Sequence, residues 1–223
     1  MKKKLFILLL LIQFLIPTSK AQKIRTLFYD DILFGKVKMV CQNNYLPGLS
    51  IIEVHDTTWY DESGKTTESH RKTMRGIKFS EKYIYTSIAS IKKMQVIGNE
   101  TDQNLDATFD LKGNLSEYSS HFKNGNLNFK STYEYDNKNN LITYYAYNKD
   151  NLLQQKRTYE YSKDGILTKE YLWNEDGKIN YEIDFEYSGF DGQGNWLKRI
   201  GHRKYPSGKP VPDLIVTREI TYY

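Results

Sequence analysis

The sequence has too few cysteines and histidines for the usual cross-linked or metal-bound sites. Cys41 is the only cysteine among 223 residues, so no internal disulfide can form. We expect it to be a small buried apolar residue in a strand over 37–41. The four histidines are widely scattered, without His-x-x-x-His or Glu-x-x-His spacing. We therefore predict no metal site and no cofactor.

The motifs of common enzyme classes are also missing. There is no Gly-x-Ser-x-Gly turn for a nucleophile, and Cys41 has no neighbour suited to activate a thiol. The Gly-Gln-Gly segment at 192–194 resembles a phosphate loop only superficially, because no helix follows it. Glu182, Asp184 and Glu186 form a row that is typical of a solvated strand face, relieved by Lys156, Arg157 and Lys169 on adjacent strands. We predict no catalytic residues and a protein that is not an enzyme.

A long apolar run occurs only at the N-terminus. Three lysines at 2–4 precede the run 5–16, and Ala21 is the small residue that a signal peptidase needs. This order is typical of a secretory signal peptide. Twelve helical residues would reach about 18 Å, which is too short to cross a bilayer. We predict a signal peptide over 1–21, cleavage after Ala21, and a location in the periplasm or at the cell surface of a bacterium.

The apparent basicity of the chain comes from the same segment. The formal net charge is +5, but residues 1–21 hold four lysines and no acidic residue, which leaves +1 for the remainder. A nearly neutral chain does not have the electrostatic footprint of a nucleic-acid-binding protein. We therefore predict no nucleic-acid partner.

Aromatic residues are abundant and recur at a fixed interval. Phe109, Tyr135, Tyr161 and Tyr187 are spaced by 26 residues, and each opens a turn rich in glycine, asparagine or aspartate. A second set of turns lies halfway between them, which leaves strands of about seven or eight residues. We call these four residues the aromatic ladder. The pattern predicts an all-β fold, an antiparallel β-meander of repeated hairpins that forms an open curved sheet.

The same pattern divides the chain into regions. Residues 22–106 form an N-terminal β region with degenerate repeats, 107–204 the hairpin repeats, and 205–223 a C-terminal loop and capping strand. Within the first region, 83–94 is interpreted as strands, with a short helix as the alternative. The polar segment 99–104 is the seam if the chain has two lobes. The sequence leaves open whether the N-terminal half is a separate lobe and whether the sheet closes.

The turns carry a resemblance to a known family. An aromatic-Asp-x-x-Gly-Asn-Leu/Trp pattern stands at 109–115 and 190–196, with degenerate copies at Tyr135 and Tyr161. It resembles the Tyr-Asp (YD) repeat of the RHS family, and also small exported bacterial proteins of unknown function. The latter end in a Gly-Asn-Trp-x-Lys-Arg turn, here 194–199, and an Arg-Glu-Ile-x-Tyr strand, here 218–222. The resemblance implies an antiparallel sheet that curls as hairpins accumulate, and in long members a shell around a toxin or carbohydrate and surface binding. This chain has too few repeats for the enclosing role.

We predict a non-catalytic binding module of the cell envelope for a glycan or a protein. Trp173, Trp196, Tyr187 and Phe190 are the candidate ligand-binding residues, because flat rigid aromatics suit stacking as well as a core. The assignment requires that Trp173 and Trp196 are not both buried.

Two alternatives remain. In a structural or assembly role, the last strand, 214–223, pairs with another chain by strand addition. An outer-membrane-associated carrier is the third possibility. A membrane β-barrel is disfavoured because the polar segment 153–158 offers no apolar band to lipid.

Overall fold

A computed structural model describes residues 23–25, 32–45, 48, 51–88, 91–97 and 103–223. The predicted signal peptide and most of the predicted seam at 99–104 lie outside these ranges. The described part of the chain contains sixteen strands and no helix. The strands are β1 Lys23–Arg25, β2 Ile32–Phe34, β3 Val37–Tyr45, β4 Ile52–Tyr60, β5 Thr66–Thr73, β6 Lys78–Ile88, β7 Ile91–Ile97, β8 Gln103–Phe109, β9 Leu115–Phe122, β10 Leu127–Tyr135, β11 Leu141–Tyr147, β12 Leu153–Tyr161, β13 Leu167–Trp173, β14 Ile179–Phe190, β15 Trp196–Lys204 and β16 Val211–Tyr222.

The predicted all-β antiparallel meander of repeated hairpins is confirmed. From β3 to β16 every strand pairs antiparallel with the next strand in the chain. Strands β6 and β7 cover most of 83–94, so the strand interpretation of that segment is also confirmed. Strands β1 and β2 form a separate two-stranded sheet.

The sheet curves until its first and last strands meet. Strand β16 pairs with β3 from Ile215 opposite Tyr45 to Tyr222 opposite Val37, so fourteen strands form a closed barrel. The strands that follow residue 107, β9 to β16, are eight of these fourteen. The degenerate half of the chain supplies the other strands, and together they are enough for strand twist to bring the two ends of the sheet into contact.

Closure changes the interpretation of the last strand. Strand β16 is hydrogen-bonded to β15 along one edge and to β3 along the other. The prediction that this strand pairs with another chain is therefore wrong, because strand addition needs an unpaired row of backbone groups.

Hairpin turns gather at two ends of the barrel because the strands alternate in direction. One end, which we call the asparagine end, contains the turns at 61–65, 110–114, 136–140, 162–166 and 191–195. The opposite end contains the described turns at 74–77, 123–126, 148–152, 174–178 and 205–210.

Buried asparagines join neighbouring turns at the asparagine end. The side-chain amide of Asn114 donates to Asp110 Oδ2 within its own turn at 2.9 Å, and to Asn139 Oδ1 of the next turn at 3.3 Å. In that next turn, Asn140 donates to Asp136 Oδ2 at 3.0 Å. The Asp and Asn of the repeat signature therefore close each turn and hold the ring of turns together.

Asn195 performs the same task and also holds the N-terminal strand β2. Its Nδ2 donates to Phe34 O at 2.9 Å, and Phe34 N donates to Asn195 Oδ1 at 2.7 Å. The same amide donates to Tyr222 Oη at 2.7 Å. Beside this contact, Leu33 is 1% exposed and packs with Val37 against the interior of the barrel. One buried amide thus joins β2, the 191–195 turn and the last strand.

The aromatic ladder lies just inside the asparagine end. Tyr135 Oη donates to the backbone oxygen of Leu115 at 2.9 Å, and Tyr187 Oη donates to that of Leu167 at 2.8 Å. The residue that follows each turn is buried against this layer, namely Leu115, Leu141, Leu167 and Trp196. The ladder is therefore part of the architecture at this end of the barrel.

Cys41 departs from its prediction. It belongs to β3 as expected, but it is only partly buried and its Sγ lies 3.8 Å from Thr57 Oγ1. The buried neighbours Val40 and Gln42 occupy the inner face, so alternation places Cys41 on the outer face.

We expect Asn195→Ala to lower the free energy of unfolding by about 1–3 kcal/mol, because it leaves buried polar groups of Phe34 and Tyr222 without this partner. Urea denaturation would measure the loss. Asn180→Ala, at an exposed position of β14, is the matched control and should be nearly neutral. Equal unfolding midpoints for the two variants would contradict the role of Asn195.

Candidate functional site

A cavity of about 580 Å³ lies inside the barrel, between the ladder layer and the opposite end. Its walls come from β9 to β16, and its polar side chains include tyrosines, arginines and two carboxylates. They are Tyr118, Tyr133, Tyr144, Tyr159, Tyr181, Arg157, Arg199, Arg203, Glu170 and Asp213.

Period-2 alternation determines which side chains reach the cavity. On β14, Tyr181, Ile183 and Phe185 line the cavity, while Glu182 and Asp184 between them point outward. This is the division into two faces that the sequence predicts for the strand. Outside, Lys204 pairs with Glu182 at 3.1 Å and Lys169 with Asp184 at 2.9 Å, so the row of carboxylates is a solvated face, as predicted.

The first charged pair of the cavity joins two adjacent strands. Arg157 Nη1 on β12 lies 2.7 Å from Glu170 Oε1 on β13. Burial opposes the positive charge of Arg157, but Glu170 and nearby tyrosines more than offset this, so the pKa of Arg157 is raised. Arg157 was predicted on the outer face. It lies inside because it shares the alternation of Tyr159.

The second charged pair lies on β15 and β16. Arg203 Nη2 lies 2.8 Å from Asp213 Oδ2, and the guanidinium of Arg203 stands 4.3 Å from the ring centroid of Tyr181. Among the described residues, the buried Nε atoms of Arg157 and Arg203 have no hydrogen-bond partner. Each guanidinium therefore has one donor that no described protein group accepts.

A stack of cations and aromatic rings forms the boundary towards the asparagine end. Arg199 lies 4.9 Å from the ring centroids of both Phe185 and Trp196. The guanidinium of Arg218 lies 3.4 Å from the ring centroid of Trp196. Its Nε donates to Gln42 Oε1 at 3.2 Å. Desolvated cations on aromatic faces stabilise such a wall.

The tyrosines of the interior are held in their neutral form. Burial is the largest cause that raises the pKa values of Tyr133, Tyr118 and Tyr83, and nearby groups add to it. Burial likewise raises the pKa of Tyr181. The phenol groups therefore offer O–H donors and oxygen acceptors at neutral pH, beside permanently charged guanidiniums.

The four predicted ligand-binding aromatics do not share one surface. Tyr187 and Trp196 come together inside the barrel, with ring centroids 5.5 Å apart, and Trp196 is 5% exposed. Trp173 is only partly buried on the outer face, where its Nε1 donates to Thr158 Oγ1 at 2.9 Å. Phe190 is 50% exposed at the end of β14. A single stacking platform formed by all four is therefore not available.

The sequence did not single out the charged residues of the cavity. Arg199, Arg203, Glu170 and Asp213 lie in segments that look like ordinary polar strands. A signal existed for Arg157 and Glu170, because alternation from the ladder places them inward. For Glu170 the alternation gives the inward face only after the register shift at the bulge between Glu160 and Tyr161 is taken into account.

The described residues contain no cluster of His, Cys, Asp or Glu that could hold a metal ion. Nor does any helix within those residues have the length and apolar character that a membrane span requires.

Comparison with known proteins identifies no family. No family model matches the chain, and no curated protein matches it. Among solved structures, a porin-like protein from Bacteroides uniformis matches with a TM-score of 0.51 at 12% identity, over 83% of this chain and 98% of that one. A LolA superfamily protein from Nitrosomonas europaea matches over 87% of this chain and 90% of that one, at 10% identity and a TM-score of 0.35. At these identities the first likeness shows the fold alone, and the second carries no argument.

Fold and site together define the class of the protein. It is an all-β protein in which a closed antiparallel sheet surrounds a cavity lined by tyrosine and arginine.

Titration of the tyrosines tests this interior. The chain has 19 tyrosines, and we expect those with burial-raised pKa values to stay protonated above pH 10, the ordinary value for a phenol. Absorbance at alkaline pH should therefore rise in two phases in the native protein and in one phase in denaturant. Tyr133→Phe should reduce the late phase only. A single phase near pH 10 in the native protein would contradict a desolvated interior.

Proposed function

We propose that this protein is an exported, non-catalytic binding protein that holds a small organic anion inside the barrel. The observation that carries the proposal is a tyrosine-lined cavity whose wall includes the guanidiniums of Arg157 and Arg203, each with an Nε donor that has no protein acceptor among the described residues. A carboxylate, sulfonate or phosphate group provides the acceptors that such donors prefer.

The charge of the cavity supports an anion. Three arginines, Arg157, Arg199 and Arg203, face two carboxylates, Glu170 and Asp213. Each carboxylate pairs with one arginine, and Arg199 packs on aromatic rings. Arginines therefore outnumber carboxylates in the lining of the cavity, which favours an anionic ligand.

The rest of the lining supports an apolar or aromatic body for the ligand. Phe129, Tyr144, Tyr181 and Phe185 supply flat apolar surface, with hydroxyls that can orient a ligand. A cavity of about 580 Å³ is of the size that holds a small molecule. The predicted glycan or envelope-protein partner remains a prediction, and a sugar acid would satisfy both the glycan prediction and the charge of the cavity.

Export and the lack of catalysis are parts of the same proposal. Export is supported by the charged and apolar pattern of residues 1–21. The cavity groups are paired arginines and neutral tyrosines, which suit binding rather than nucleophilic or acid–base chemistry.

The dye 1-anilinonaphthalene-8-sulfonate is a suitable probe, because it combines an aromatic body with a sulfonate. We expect saturable binding with a fluorescence increase, and about tenfold weaker binding by the double variant Arg157→Gln/Glu170→Gln. Both partners are replaced so that no charge is left buried alone. Fluorescence titration measures the affinity.

Two controls make the result specific. Lys169→Gln/Asp184→Gln removes a charged pair of the outer face and should leave the affinity unchanged. The neutral analogue N-phenyl-1-naphthylamine should bind the wild type and the cavity variant alike. Equal affinity of the sulfonate dye for wild type and cavity variant would exclude the cavity as its site.

A further inference from the structure

The wall of the barrel leaves only the two ends as ways into the cavity. Strands β9 to β16, which supply the lining, are hydrogen-bonded each to the next without interruption. Neighbouring strands of a sheet stand about 4.8 Å apart, which is too close for an organic molecule to pass between them. Access to the cavity is therefore decided by what lies across each end.

Strand β2 lies across the asparagine end. On one side of the opening it reaches the 162–166 turn, where a β-carbon built on Gly165 would stand 3.9 Å from Ile32 Cδ1. On the other side, Leu33 is buried against Tyr60 of β4. Between these points the strand is held by the two hydrogen bonds that Asn195 forms with its backbone. Together with the buried apolar layer that follows the turns, β2 closes this end.

No strand covers the opposite end in the described part of the chain. Arg71 of β5 pairs there with the inward carboxylate of Asp56, and its side chain is 49% exposed. The side chains of Arg203 and Asp213, which line the cavity near the same end, are 29% and 25% exposed. The interior of the barrel therefore meets solvent at the opposite end.

Tyr205 stands at the opposite end, against the charged part of the cavity. Its Oη accepts a hydrogen bond from Arg203 Nη1 at 3.3 Å, and its ring meets that of Tyr181 edge-on with centroids 5.9 Å apart. Both of these partners line the cavity. Tyr205 itself is 44% exposed, so its side chain lies between the lining and solvent.

The backbone beside Tyr205 is restrained, whereas its side chain is not enclosed. Pro206 follows it directly, and Pro210 and Pro212 lie in the connection to β16 and at the start of that strand. Proline fixes its own φ and restricts the residue before it. Gly208 N also donates to Tyr205 O at 3.0 Å, which closes the turn. Tyr205 can therefore leave the cavity by rotation of its side chain alone.

We propose that the cavity is loaded and emptied through the opposite end alone, and that Tyr205 is its gate. With the gate closed, the tyrosine hydroxyl occupies Arg203 Nη1. When the side chain rotates outward, that donor becomes available to the entering anion, which takes the place of the hydroxyl as its acceptor. Because the gate serves the ligand proposed above, this role of Tyr205 rests on the proposed function.

The reactivity of a cysteine placed inside the cavity measures access. Cys41 is the only cysteine of the chain, so Cys41→Ser combined with Ser131→Cys gives the full chain a single thiol. Ser131 lines the cavity and is 4% exposed. Ile183→Cys, at another buried position of the lining, provides a second probe in case the first variant does not fold.

Two methanethiosulfonates of similar size serve as reagents, one with a sulfonate group and one with a trimethylammonium group. The thiol loses its proton to water, the thiolate attacks the sulfenyl sulfur of the reagent, a disulfide forms and methanesulfinate leaves. Mass spectrometry of the intact protein follows the adduct with time. Each rate is divided by the rate of the same reagent with free cysteine, which removes the intrinsic difference between the two.

We expect Tyr205→Ala to accelerate modification by both reagents about tenfold, because loss of the hydroxyl and the ring raises the fraction of open molecules. Tyr205→Phe loses only the hydroxyl and should give a smaller acceleration. Leu111→Ala is the matched control, at an 89% exposed position of the asparagine end, and should not change the rate. Urea midpoints equal to that of the parent protein would show that the acceleration does not come from unfolding.

The gate and the proposed function fail in different ways. A normalised rate that is higher for the sulfonate reagent than for the trimethylammonium reagent supports an anion site, and equal normalised rates count against one whatever Tyr205 does. The gate is overturned if Tyr205→Ala leaves both rates unchanged, which includes the absence of any modification, or if Leu111→Ala accelerates them equally. Acceleration by Tyr205→Ala alone, with either order of the two reagents, supports the gate.

Discussion

The pairing of β3 with β16 is the interaction on which the rest of the structure depends. It joins residues that are 170 or more positions apart in sequence and pairs both edges of the meander. Once the sheet is closed, each strand side chain faces either the interior or the outside. The cavity, the outer charged face and the two dissimilar ends all follow from that division.

The two ends show how one local rule can have two structural results. Turns of the asparagine end contain Asp and Asn side chains that bond within the turn and to neighbouring turns, and Asn195 also binds β2. Turns of the opposite end have similar local hydrogen bonds, such as those from Leu152 N and Lys178 N to the Asn at the start of the turn. They lack a strand that covers them in the described part of the chain. The local chemistry is shared, but only one end gains a core.

The interior combines features that are costly to bury unless they are satisfied. Arg157 with Glu170 and Arg203 with Asp213 are paired at hydrogen-bond distance, and Arg218 lies on Trp196 while it donates to Gln42. Such groups stabilise a protein less than an apolar core of equal volume would. Their presence around a cavity is more easily understood as a requirement of binding than of folding.

The 26-residue period by itself determined the strands and the antiparallel meander of its own half of the chain, because these follow from backbone geometry and the spacing of turns. Alternation was also sufficient to place Tyr181, Ile183 and Phe185 on one face. Only the tertiary structure decided that the sheet closes, that Trp173 and Trp196 lie on opposite faces, and that Arg157, Glu170, Arg199 and Arg203 share a cavity. Closure depends on the total number and twist of the strands, and shared positions depend on register shifts at bulges such as the one at Glu160 and Tyr161. Both are properties of long-range pairing, which a repeat within one half of the chain does not contain.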